Sequence, residues 1–143
     1  MNKEIRGGRT GDRESTGQQA KNTGIRDHKD LLVWQKAMSL TQLVYDLSGR
    51  FPAEEKFGLV SQMHRAAVSV PSNIAEGQAR KHLKEYLQFL STAKGSLAEV
   101  QTQLEIAARL GYITGEQLKP ILDRADSLSR QLYTLAIKLA ERE

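Results

Sequence analysis

Cysteine is absent from the 143 residues, which removes disulfides, thiolate nucleophiles and cysteine-ligated zinc. Long apolar runs are absent as well. No stretch approaches the ~18 residues needed to cross a bilayer, and the N-terminus lacks the apolar segment of a signal peptide. The chain therefore reads as cytoplasmic, with no membrane partner. The alternating pattern of strands is missing throughout, which leaves an all-α reading. The three histidines (28, 64 and 82) are scattered rather than set at helical metal-ligand spacing. There is no glycine-rich phosphate loop, and no serine has a base marked beside it in the sequence. No catalytic residue, metal or cofactor is expected, and the chain reads as a non-enzyme.

Charge is also less one-sided than the formal net value of +4 implies. Lys3, Arg6, Arg9, Arg13, Lys21 and Arg26 fall in residues 1–26, against Glu4, Asp12 and Glu14. The remainder is close to neutral. Residues 1–26 also hold glycines 7, 8, 11, 17 and 24 and few apolar side chains, too little to offset the cost of ordering a backbone. They are expected to be a disordered basic leader, either a tether for RNA or DNA or, the more economical reading, a solubilising extension. Residues 27–143 form one domain on length, large enough to hide roughly two-thirds of its unfolded surface.

Apolar periodicity then divides the domain into four helices. The first is expected from Asp27 or His28 to Ser48, with Gly49 as its C-terminal cap. Its polar side narrows to Gln35, Ser39, Gln42 and Asp46, and apolar residues cover nearly everything else. That arc is more than twice the ~100° that a bundle helix needs, so the excess is expected to be covered by a second copy of the chain.

The second helix is expected to begin after Pro52, with Glu54 and Glu55 in its first turn. Its buried face would be Phe57, Val60, Met63, Ala67, Val70 and Ile74. Pro71 lies in phase with this stripe and is expected to bend the helix rather than stop it. The third helix should run from Leu83 to Leu110 and end at Gly111. Gly95 within it costs roughly 1 kcal/mol against alanine, which points to a close approach by a neighbour. The fourth opens with Thr114-Gly115-Glu116-Gln117, a capping box, and carries a leucine-rich seam from Leu118 to Leu139. Short connections between long helices give an up-down-up-down antiparallel four-helix bundle.

Several segments of this layout are similar to one family. They are Leu32–Ala37, Phe51–Leu59, Gln62–Gly77 (which contains Ser-Val-Pro-Ser-Asn-Ile-Ala-Glu-Gly) and Gly95–Leu104. Together they resemble the bacterial four helix bundle proteins, also called large-subunit rRNA intervening-sequence proteins. More distant relatives are the accessory variability proteins of diversity-generating retroelements. The resemblance spans about residues 30–140 and excludes the leader; His64 departs from it, since relatives often carry another basic or polar residue before Arg65. It implies a homopentameric ring and, through the retroelement branch, association with nucleic acid and a reverse transcriptase. It implies no reaction.

Two candidate surfaces follow. Arg80, Lys81, His82 and Lys84 form a basic corner at the start of the third helix, where unpaired backbone N–H groups already favour anions; the plain alternative is a solvated loop. Repeated around a ring, weak phosphate contacts there would multiply. On the second helix, Arg65, Ser69, Ser72, Asn73 and Glu76 form a polar stripe. The stripe would bind a partner or a phosphate, with Arg65 as the charged hydrogen-bond donor. Alternatively the small polar residues bond to backbone opened by Pro71, and Arg65 pairs with Glu76 across a subunit boundary. Trp34, Met38 and Tyr45 read as subunit-packing residues rather than base-stacking platforms. The functional expectation is a homo-oligomeric accessory protein associated with RNA or DNA; the alternative is a scaffold for a protein partner with no nucleic-acid contact.

Overall fold

The computed structural model describes residues 24–142; the leader expected over residues 1–26 lies mostly outside them. Ile25 already packs on the core, so the bundle begins slightly earlier than Asp27. Four long helices follow: α1 (Leu32–Ser48), α2 (Leu59–Gln78), α3 (Leu83–Arg109) and α4 (Gly115–Glu141). Among the described residues there is no strand. Contacts join α1 to α2, α2 to α3, α3 to α4 and α4 back to α1, an all-α four-helix bundle. Along α1 and α2, Thr41 meets Ala67 while Ser48 meets His64. Along α2 and α3, Ser69 meets Ser96 while Gly77 faces Phe89. Gln101 reaches Asp126, and Lys94 lies over Tyr133. In each sequential pair the numbers rise on one helix as they fall on the other. The N-terminus of α1, the α2–α3 connection and the C-terminus of α4 therefore share one end.

Both early helices start later than periodicity predicts. Asp27 caps a three-residue 3-10 turn (His28–Asp30), accepting from the Lys29 N–H at 2.9 Å. Leu31 then turns extended and buries its side chain, so α1 starts at Leu32. The second delay has a larger consequence. Ala53–Glu55 form another 3-10 turn, Gly58 breaks the path, and the Glu55 carboxylate accepts the Leu59 N–H at 3.2 Å to begin α2. Phe57 is consequently outside the helix and 89 % exposed, not the first member of the buried stripe. Periodicity assigns a face only where the backbone is helical.

From Val60 onward the stripe behaves as the spacing predicts: Met63, Ala67, Val70 and Ile74 are buried. α2 runs through Pro71 without stopping. Proline has no N–H, so the Ala67 carbonyl loses its partner within the helix. Thr41 of α1 supplies one instead, its hydroxyl lying 3.1 Å from that oxygen and 2.8 Å from the Ala37 carbonyl. The close approach expected at Gly95 occurs instead at Gly77. Gly95 is exposed, and a Cβ there would meet nothing within 4 Å, so no neighbour within the chain approaches it closely. Gly77 does face such a neighbour: a Cβ would fall 2.7 Å from the Phe89 Cβ and 3.1 Å from the Tyr86 ring.

The helix ends at the opposite pole are firmly specified. Gly111 adopts φ +81°; the Tyr112 N–H donates to the Ala107 carbonyl and the Gly111 N–H to that of Ala108, a Schellman closure. Thr114 and Gln117 form the predicted capping box on α4. Gly49 caps α1 but in the right-handed region. The Tyr112 hydroxyl donates to Glu55 at 2.6 Å, tying the α3–α4 turn to the start of α2. This bond lowers the Glu55 pKa and raises that of Tyr112. With its folded pKa depressed, Glu55 contributes stability above pH about 4.5 that is lost as pH falls through the folded value. Tyr112, raised, contributes below pH about 10 and loses that contribution on further alkalinisation. Thermal melts from pH 7 to pH 3 are therefore expected to show an acid slope that is shallower in Tyr112→Phe; equal slopes would remove the latch.

Candidate functional site

The basic corner is built where α2 ends. α2 closes at Gln78 with Ala79 as C-cap, and α3 opens after His82, whose side chain supplies no cap. The intervening residues are exposed. The four cations are not equivalent. Arg80 forms an ion pair with Glu76 at 3.1 Å, one turn back on α2, and its guanidinium lies 4.9 Å from the centre of the Phe89 ring. It is held in place and partly neutralised. Lys81 and Lys84 carry no ion pair among the described residues and are the corner's available cations. Beside them, Leu83, Lys84, Leu87, Gln88 and Ser91 line a shallow open groove of about 400 Å³.

Arg65 does not join this corner. It stands thirteen residues before the end of α2 at Gln78, about 20 Å along the axis at 1.5 Å per residue. The polar stripe of α2 also divides. Ser69 and Asn73 turn toward α3: the Asn73 amide donates to the Ser69 carbonyl at 2.7 Å and to its hydroxyl at 2.9 Å, and Ser69 bonds to Ser96 at 2.8 Å. None of these groups repairs the gap at Pro71, which Thr41 fills. Arg65, Ser72 and Glu76 remain exposed. Glu76 has its partner within the chain, in Arg80 rather than Arg65.

Serine and histidine do meet, a juxtaposition the sequence spacing conceals. Ser48 Oγ lies 2.9 Å from His64 Nε2 across α1 and α2, and Tyr45 stacks on the His64 ring at 3.7 Å between centroids. Ser48 is 2 % exposed, so no substrate carbonyl can reach its oxygen. Burial lowers the His64 pKa, which keeps the ring neutral and packed. The pair serves the α1–α2 contact. Among the described residues no group of His, Asp and Glu could hold a metal ion, and no helix is long and apolar enough to cross a membrane.

That same stack defines an apolar outer face. Met38 lies seven residues before Tyr45, on the same side of α1, and Val68 lies one turn after His64 on α2. Their exposures are 45 % for Met38, 43 % for Tyr45 and 42 % for Val68; Trp34, in phase with Met38, is partly buried. The buried side of α1 is only Val33, Ala37, Leu40, Val44 and Leu47 with Ser48. The bundle thus leaves uncovered part of the wide apolar arc read from the sequence.

The profile described as 23S rRNA-intervening sequence protein matches residues 29–134. The chain is also similar to a solved structure of a protein of unknown function from the S23 ribosomal protein family of Bacteroides thetaiotaomicron. There the TM-score is 0.69 at 24 % sequence identity, over 73 % of this chain and 98 % of that one. At this identity the likeness speaks to the fold. No curated protein matches the chain.

Proposed function

The chain belongs to the family of 23S rRNA-intervening sequence proteins, and on that footing we propose that it is a non-enzymatic, homo-oligomeric bundle that associates with nucleic acid. The observation carrying the first half is the exposed face of Met38, Tyr45 and Val68, with the partly buried Trp34 beside it. Isolated apolar residues on a surface need no explanation, but a stripe aligned along two packed helices is the pattern of an interface. A sister chain covers it, and the family resemblance puts the number of copies at five. The nucleic-acid half rests on Lys81 on the exposed α2–α3 connection and Lys84 in the first turn of α3, two cations without an ion pair among the described residues, with Arg80 held beside them by Glu76. Copies around a ring would present this corner repeatedly, so individually weak phosphate contacts add through effective concentration.

Charge reversal tests the corner. In Lys81→Glu, Lys84→Glu, affinity for a mixed-sequence polynucleotide at about 50 mM salt is expected to fall at least about tenfold, since each lost phosphate contact removes a counterion-release contribution. Fluorescence anisotropy reads this directly. Unchanged affinity, or no binding by the native chain at that salt, removes the nucleic-acid reading. Arg80→Glu is expected to do less, because the native guanidinium is already paired with Glu76.

A second reading, a scaffold for a protein partner such as a reverse transcriptase, has its own support at the opposite end of the bundle. There Phe57 stands 89 % exposed, while Ile106 and Leu110 are exposed one turn apart at the end of α3. Under that reading the chain copurifies with a protein, and nuclease leaves the association intact.

A further inference from the structure

We infer that His64 is a proton-operated release for the contact between sister chains, which forms when the imidazole is neutral and separates when it is charged. The inference deepens the assembly reading above and rests on it. His64 stands where that contact forms. Its ring stacks on Tyr45, with centroids 3.7 Å apart and planes 12° from parallel, and Val68 lies one turn further along α2. Tyr45 and Val68 belong to the exposed apolar face. A sister chain seated on them therefore also closes over His64, which is only partly exposed in the single bundle. Imidazole is the side chain that changes its charge between about pH 5 and pH 8, so covering it ties the contact to protonation.

The single bundle tolerates the charged ring. The Ser48 oxygen lies 2.9 Å from His64 Nε2 and 3.4 Å from the Tyr45 carbonyl. When the ring takes a proton, Nε2–H donates to Ser48 and the serine hydroxyl turns to that carbonyl, so no bond is lost. The Tyr45 ring also accepts a cation against its face. Water reaches the remaining edge.

Beneath a sister chain the water is gone, and the protomer offers no carboxylate in its place. From α1, Tyr45 and Ser48 meet the ring, whereas Asp46 lies about 200° round the helix from Ser48. Arg50 follows the α1 cap at Gly49. On α2 the neighbouring Arg65 is exposed. In the turn before α2, Glu55 is committed to the Leu59 N–H and the Tyr112 hydroxyl, and Glu54 is matched in sign by Lys56. Among the described residues none of these charges bonds to the ring. Loss of water disfavours the charged form of an unpaired base, and burial within the single bundle already lowers the His64 pKa. Covering the face lowers it further, so protonation opposes assembly. The contact has its full strength above the ordinary histidine pKa of about 6.5 and weakens as pH falls below it.

The test is a dilution series of the full chain, followed by sedimentation velocity and circular dichroism at about pH 7.5 and about pH 5. Each contact that covers a His64 is expected to dissociate about tenfold more readily at the lower pH, with the helical signal unchanged. His64→Gln keeps a hydrogen-bonding group for Ser48, and His64→Phe keeps the stack on Tyr45. Both are expected to sediment alike at the two pH values. His28→Gln, His82→Gln, altered at the other two histidines, is expected to respond to acid as the native chain does. A native assembly equally tight at both pH values overturns the inference and leaves the assembly reading standing. So does an acid response that survives in His64→Gln and His64→Phe, or one that disappears in His28→Gln, His82→Gln. Loss of the helical signal at pH 5 overturns it too, since acid then acts on the bundle itself. A native chain that is single at pH 7.5 overturns both.

Discussion

Gly77→Ala is expected to lower stability by about 1–3 kcal/mol, as overpacking does in a tight core, and to reduce the melting temperature by roughly 4–10 °C in a domain of this size. Alanine gains about 1 kcal/mol over glycine in a helix interior. Here that gain loses. The new Cβ would sit 2.7 Å from the Phe89 Cβ and 3.3 Å from the Tyr86 carbonyl. Neither atom can rotate aside, so α2 and α3 must separate. Gly95→Ala has the opposite sign: with nothing within 4 Å of the added methyl, the propensity gain stands alone, and stability rises by up to about 1 kcal/mol. Melts of the two variants at one protein concentration check the pair. If Gly77→Ala is neutral, the close α2–α3 approach is not as described.

The second large effect concerns the outer face of α1 and α2. Met38→Glu with Val68→Glu places two carboxylates on exposed apolar positions. In a free bundle such surface changes cost little, usually within ±0.5 kcal/mol. In an interface they bury unpaired charge, which costs far more than the contact contributed. The double variant is therefore expected to keep its helical circular dichroism and to separate into single chains of about the native protomer's 16.0 kDa. Retention of an assembly by the variant would mean that the chains meet on some other surface. Tyr45 is left intact in this test because its stack on His64 belongs to the fold of the protomer.

How much of this is legible in the sequence depends on whether the signal is local. The fourth helix start was fully written in Thr114 and Gln117, and the end of α3 in Gly111, because caps are set by residues three or four apart. The buried register of α2 was equally plain once the helix had begun. Phe57 misled because its spacing matched a helix that Gly58 delays. The glycines carried a readable signal that periodicity alone did not rank. Gly77 continues the series Met63, Ala67, Val70, Ile74 and thus falls on the buried face, where a missing side chain means close packing. Gly95 falls between Ala93 and Leu97, off that face.

The candidate site was less legible, since its organisation is tertiary. The run Arg80 to Lys84 was visible as charge. Nothing local announces that Glu76 and Phe89 immobilise Arg80, or that Arg65 lies about half the bundle's length from the other cations. The same holds for Thr41, which satisfies the Ala67 carbonyl from another helix, and for Ser48, whose histidine is sixteen residues distant. A hydroxyl on the buried edge of a helix facing a proline-containing neighbour is the only hint the sequence offers.

Sedimentation velocity on the purified full chain at micromolar concentration tests the central claim most directly. A bundle whose outer apolar face is covered by its own kind sediments as a discrete species several times heavier than 16.0 kDa, with five protomers the expected number. A well-folded chain that sediments as one protomer across that range contradicts the account.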